Sequence, residues 1–151
     1  MSNCAIILAG GEGKRMKSNL PKPMSEVLGK PMLRWVIDSV KSAGVDDICV
    51  VKGYKKECID EFVNSLPFEV ETVYQAERLG TGHAVMMAKN FLKKHSGNVV
   101  ILNGDAPFMD AKTISDALAL HTEKGSVATV ISAKVSNPTG YGRIVRDENN
   151  N

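Results

Sequence analysis

Four cations, Lys14, Arg15, Lys17 and Lys22, follow the glycine-rich turn Gly10-Gly11-Glu12-Gly13, and Glu12 is the only acid between Gly10 and Lys22. Glycines let the backbone approach a bound group closely, and clustered ammonium and guanidinium groups concentrate a positive field. The chemistry this combination serves is the holding of a polyphosphate. Asp105, in Asn103-Gly104-Asp105-Ala106-Pro107, is a carboxylate in a sharp turn. Such a group either hydrogen-bonds nearby amides or meets a hard cation such as Mg²⁺, which needs only one or two carboxylates when water and substrate phosphates complete its shell. The basic glycine turn favours the cation.

A third segment, Tyr74-Gln75-Ala76-Glu77-Arg78-Leu79-Gly80-Thr81-Gly82-His83-Ala84, carries groups suited to a nucleobase. The Gln75 amide offers both a donor and an acceptor and can match the imide edge of uracil. Gly80 and Thr81 stand where a helix begins and backbone groups are exposed; the plainer alternative makes Thr81 an N-cap and Gln75 a surface residue. His83 reads as a helix-start residue.

Two other phosphate loops are excluded. A Walker loop needs glycine where Leu8 stands and Ser or Thr where Arg15 stands. A dinucleotide fingerprint starting at Gly11 puts its third glycine at Met16, and the following strand ends in Val51-Lys52 without an acid for the ribose.

The elements that must position these groups alternate. Cys4–Ala9 reads as a buried strand, and a helix follows from Pro31, with Met32, Leu33, Val36, Ile37 and Val40 on one face, to Gly44. A strand over Ile48–Val51, a helix through Ile59, Phe62, Val63 and Leu66, and a strand over Val70–Tyr74 come next. One helix runs from near Thr81 through Leu92, then a strand over Val99–Leu102, then a helix from an Asp110 cap to Gly125. Strands are also expected over Val127–Ala133 and Tyr141–Arg146. This order predicts an α/β fold, a mainly parallel sheet with helices on both faces, whose ligands collect at the carboxyl ends of the strands.

The turn resembles the signature loop of sugar-phosphate nucleotidylyltransferases: Leu8-Ala9-Gly10-Gly11-Glu12-Gly13, then Arg15, then Pro21-Lys22. That family's usual Thr before the Arg is Lys14 here, which removes a hydroxyl and keeps the loop basic. With Gln75-Ala76, Leu79-Gly80-Thr81-Gly82-His83-Ala84, Gly104-Asp105-x-Pro107 and Pro138-Thr139-Gly140-Tyr141-Gly142-Arg143 in the same order, nearly the whole chain resembles the uridylyltransferase domain of bacterial N-acetylglucosamine-1-phosphate uridylyltransferases.

The resemblance implies a three-layer Rossmann-like nucleotidyltransferase fold and transfer of UMP from UTP to N-acetylglucosamine 1-phosphate, with Mg²⁺ as cofactor. It assigns Leu8, Ala9, Gly10, Gly11, Gly13, Gln75, Gly80 and Thr81 to the nucleotide, Arg15 and Lys22 to the phosphates as catalytic groups, Asp105 to the metal and Gly140 to the sugar. It also implies a partial domain over residues 1–151, since such relatives continue with further strands, sugar contacts and another acidic metal ligand. An unfinished sheet edge would then be open to self-association. Gly10-Gly11 and Pro21-Lys22-Pro23-Met24 resemble thymidylyl- and guanylyltransferase loops too, and a non-catalytic nucleotide-binding module would carry the same turns.

Composition narrows the classes further. With 151 residues, the chain is long enough for one domain burying about 70% of its unfolded surface. A net charge of +2 and 5% aromatic residues lack the basic stripe and stacking platform of a nucleic-acid binder. Cys4, Cys49 and Cys58 show no metal-like pairing and read as reduced, and no apolar run suits a signal or a membrane span, so a cytoplasmic chain without nucleic-acid or membrane partners is expected.

Overall fold

The apolar run Cys4–Ala9 forms the first strand, β1, and its alternation divides the core in two. Ala5, Ile7 and Ala9 face one layer of helices, while Cys4 and Ile6 face the other. A strand covered on both sides has no polar face, which is why its sequence is continuously apolar. The computed structural model describes residues 2–13 and 19–148; Lys14, Arg15 and Lys17 lie outside the described residues.

A short 3₁₀ turn, Lys22–Met24, leads into a small hairpin of β2 (Glu26–Val27) and β3 (Lys30–Pro31) that the sequence pattern does not announce. Helix α1 (Met32–Ser42) follows, with Pro31 just outside its first turn rather than inside it. Leu33, Val36, Ile37 and Val40 are buried against the sheet, each worth about 1.5–3 kcal/mol of apolar burial. The Trp35 indole N–H donates to the Val27 carbonyl at 2.9 Å and so ties the hairpin to α1.

Strand β4 (Asp47–Lys52), helix α2 (Lys56–Asn64) and strand β5 (Glu71–Tyr74) continue the alternation. The single helix expected from Thr81 to Leu92 is two, α3 (Thr81–Met87) and α4 (Lys89–Leu92), divided at Ala88. Strand β6 (Val99–Asn103) and helix α5 (Ala111–Lys124) complete the regular structure. The Asp110 carboxylate accepts the Thr113 N–H at 2.7 Å to begin α5, a bond that holds its carboxyl below the usual range. Gly125, at φ 58°, ends the helix.

The sheet order is β5-β4-β1-β6, every pair parallel. Helices α1, α2 and α5 supply apolar residues to one face; α3 and α4 cover the other through Ala84, Ala88 and Phe91. The three layers expected from the sequence are present. The chain winds outward from β1 through β4 to β5 and then returns to the far side of β1, so the order reverses between β1 and β6.

Two expectations are corrected. Val127–Ala133 and Tyr141–Arg146 are not strands. Residues Val127–Ile131 and β6 line one groove of about 700 Å³, but they form no ladder. Val127, Val130, Tyr141, Ile144 and Val145 are exposed. Their β-branched and aromatic side chains favour strand only where a neighbour covers one face, and among the described residues no second layer does so. No helix among the described residues is long and apolar enough to cross a membrane.

Where β1 and β4 end, the chains touch backbone to backbone. The Tyr54 N–H donates to the Gly10 carbonyl at 3.2 Å, and a methyl group on Gly53 would lie 2.7 Å from that carbonyl oxygen and 2.8 Å from the Gly10 Cα. Gly53→Ala is therefore expected to destabilise the fold by about 1–3 kcal/mol in urea unfolding, the scale of overpacking. Gly11→Ala, with nothing within 4 Å of the added carbon, is the matched control and should leave the midpoint unchanged. The thiols make a second test. Burial pushes Cys49 up to about 12 and raises Cys4 as well, while Cys58 is partly exposed. A thiol reagent at pH 8 should modify Cys58 in the folded chain and reach Cys4 and Cys49 only after unfolding, as peptide mapping by mass spectrometry would show.

Candidate active site

The reversal between β1 and β6 brings three separate turns to one end of the sheet. The Gly104 N–H donates to the Leu8 carbonyl at 2.9 Å, which fixes the turn carrying Asp105 beside the tip of β1. The Gln75 N–H donates to the Lys52 carbonyl at 2.9 Å, which holds the end of β5 against β4. Between these turns lies a cleft of about 750 Å³. Leu8, Gly10, Gly11, Gly13, Lys22, Gln75, Gly80, Thr81 and Asp105 all line it. Crevices at a reversal of strand order are where open parallel sheets bind ligands.

Lys22 is brought to Asp105 by packing rather than by sequence proximity. Pro21 is fully buried, the Ser25 N–H donates to the Lys22 carbonyl at 3.0 Å, and the Met32 N–H donates to the Ser25 carbonyl at 3.0 Å, tying the turn to α1. Gly13 sits at φ 62°, and a methyl group there would lie 2.7 Å from the Lys22 Cβ. Only glycine fits this crossing without moving the lysine. The Lys22 ammonium meets the Asp105 carboxylate at 2.5 Å, with the two side chains 41% and 32% exposed. The cation and the carboxylate that the sequence singled out are thus an ion pair on the wall of the cleft.

The remaining residues assigned from the sequence are placed as follows. Ala9 is buried in the core beneath the turn and does not line the cleft. Gly140, at φ 83°, lies in the exposed stretch after α5, away from the cleft lining. Arg15 is outside the described residues. Gln75, a surface residue in the plainer reading of the sequence, stands in the loop after β5 yet is 6% exposed, the one buried polar residue among those described.

Three contacts escaped the sequence reading. Arg78 lines the cleft and pairs with Glu12 at 2.7 Å, joining the Gln75 segment to the glycine turn. Asn103 lines it from the last position of β6. The His83 ring, read from sequence as a helix-start residue alone, bonds the Gln75 side chain at 3.1 Å. The only available signal was that Arg78 and His83 share a short segment with Gln75.

A carboxylate and two cations around a glycine turn can hold a phosphate chain and a hard cation together. The sequence model of the nucleotidyl transferase family matches residues 4–151. The chain belongs to the nucleotidyl transferase family. Among curated nucleotidyl transferase relatives, the bifunctional protein GlmU of Acetivibrio thermocellus is 48% identical over 94% of this chain, and that of Clostridium beijerinckii 48% identical over 97%. The chain spans about a third of their length, 30% and 32% respectively.

Solved structures agree on the architecture. UDP-glucose pyrophosphorylase from Acinetobacter baumanii superposes with a TM-score of 0.70 at 20% identity, over 83% of this chain and 54% of that one. HddC from Yersinia pseudotuberculosis, complexed with GMP-PN, gives 0.59 at 32% identity over 70% of this chain and 48% of that one.

Proposed function

We propose that this chain is the nucleotide-binding part of a uridylyltransferase that makes UDP-N-acetylglucosamine and pyrophosphate from UTP and N-acetylglucosamine 1-phosphate. The observation that carries the reading is the Lys22–Asp105 pair at 2.5 Å, set in a cleft with the glycine turn on one side and Gln75, Gly80 and Thr81 on another. The similarity to GlmU proteins over 94% of the chain supports the same substrates.

In the reaction a phosphate oxygen of the sugar phosphate attacks the α-phosphorus of UTP. The bond from that phosphorus to the bridging oxygen breaks, and pyrophosphate leaves with the electron pair. The attacking group is already anionic near neutral pH, so no protein base is required. The obstacle is repulsion between anions, which the residues answer by charge and placement. Lys22 neutralises reacting phosphate oxygens, Arg15 and the amides of the glycine turn hold the departing pyrophosphate, and Leu8, Gly10, Gln75, Gly80 and Thr81 seat the uridine.

Asp105 suits a magnesium ion. It is a partly exposed carboxylate on the cleft wall, one oxygen engaged by Lys22, and no group of three or more His, Cys, Asp or Glu among the described residues makes a self-sufficient metal site. That donor set matches Mg²⁺ held by one carboxylate together with water and nucleotide phosphates. When bound, the ion supplies charge neutralisation at the phosphates.

A second reading, guanylyl transfer, is favoured by the likeness to the Yersinia structure complexed with GMP-PN. Pyrophosphate release with N-acetylglucosamine 1-phosphate and UTP or GTP separates the two; release with UTP alone is expected, and release with GTP alone would overturn the uridylyl reading. Lys22→Ala should lower turnover at saturating UTP roughly a hundredfold, the scale for losing one preorganised charge. Asp105→Asn should raise the Mg²⁺ concentration needed for half-maximal nucleotide binding, read by calorimetric titration at fixed UTP; an unaltered metal titration would count against Asp105 as the ligand.

A further inference from the structure

A glutamine side chain is nearly symmetric in shape, and free in solution it presents its oxygen or its nitrogen with equal ease. Gln75 is not free. Its Nε2 lies 3.3 Å from the Gly80 carbonyl oxygen and 3.1 Å from His83 Nδ1. A carbonyl oxygen only accepts, so the group facing it is the amide NH₂. An amide nitrogen has no lone pair to share, so His83 Nδ1 must accept from it and the imidazole proton resides on Nε2. Both amide N–H bonds are thereby used inside the protein.

What remains is Oε1. The side-chain bonds of Gln75 among the described residues are the two at Nε2, and Oε1 lies over Gly10, where a methyl group would come within 3.2 Å of it. Gln75 and Gly10 both line the cleft. With both N–H bonds taken, the acceptor is what this buried amide has left to offer a ligand, although the residue type offers both.

We propose that His83 is a positioning residue that locks Gln75 with its oxygen toward the cleft, so that the base pocket selects nucleobases bearing a ring N–H donor. Uracil, thymine and guanine carry such a donor; cytosine and adenine carry a lone pair at the corresponding ring nitrogen. The proposal rests on the nucleotide reading above and deepens it by naming the class of base. At 3.3 Å the bond to Gly80 is near the limit of hydrogen-bond length, so His83 is the closer of the two anchors. Without it the amide is free to turn, and a turned amide meets cytosine's N3 with a donor.

The test is calorimetric binding of UTP and of CTP, each with Mg²⁺, to the full chain and to two variants. The wild type should prefer UTP. His83→Leu, which removes the acceptor, should lower the UTP-to-CTP affinity ratio by about tenfold, the scale of one hydrogen bond to a buried group. His83→Asn, whose side-chain oxygen can take the place of Nδ1, should keep the ratio within about twofold of wild type. The ratio is insensitive to a fraction of misfolded chain, which lowers both titrations alike. An unchanged ratio in His83→Leu, beside an intact wild-type preference, overturns the role of His83 and leaves the nucleotide reading standing. Equal erosion in both variants overturns it in favour of a merely structural histidine. A wild type that binds UTP no better than CTP overturns the base selection proposed here and leaves nucleotide binding standing, and one that binds neither overturns the nucleotide reading as well.

Discussion

The hydrogen bond from the Gly104 N–H to the Leu8 carbonyl stands where the sheet changes direction, and the site depends on it. On one side of β1 the chain has wound through β4 and β5; on the other it arrives at β6 from the opposite end of the fold. Two parallel strands reached by such different paths end side by side, and the turns that leave their tips line the cleft. Asp105 is one residue beyond this bond and Gly10, just past β1, two residues beyond it. No side chain could occupy Gly104 comfortably, since an added carbon would come 3.1 Å from the same carbonyl oxygen.

Around this fixed junction the chemistry is distributed according to what each part can bear. The glycine turn supplies space and amides, the 3₁₀ turn supplies a lysine braced by buried Pro21 and Pro23, and the β5–α3 connection supplies the oriented amide of Gln75. Among the described residues of the wall, Lys22 rests on Asp105 and Arg78 on Glu12, so both of these cations are paired. A polyanion entering the cleft competes with carboxylates for these cations, which makes recognition a matter of exchange between partners as well as attraction.

Much of the architecture was legible in the sequence because parallel strands covered on both faces leave near-continuous apolar runs. Cys4–Ala9 and Asp47–Lys52 are of this kind, and Val99–Asn103 reads alike although Val99 and Ile101 are exposed; each is a strand with bounds close to those expected. The segment from Val127 to Ala133 carries the same signal and does not form a strand. Propensity there is satisfied only by a neighbour, and which neighbour is present is a property of the tertiary structure. The break at Ala88 and the hairpin at Glu26–Pro31 leave too few residues for a periodicity to register. At the site, Gly10, Lys22, Gln75 and Asp105 were visible as types and turns. Their mutual distances were not, and neither was the His83–Gln75 bond, because that contact spans two elements and depends on how α3 is seated on the sheet.

The backbone contact between Gly10 and Gly53 has a consequence for motion. With no side chain as a spacer, the floor of the cleft is the end of the sheet itself, held by the Tyr54 and Gly104 amides. Those two amides are hydrogen-bonded at the strand tips, so their exchange reports the opening of this end of the sheet. The upper walls belong to turns. A ligand is therefore received on a floor of hydrogen-bonded strand ends beneath a rim of connecting chain.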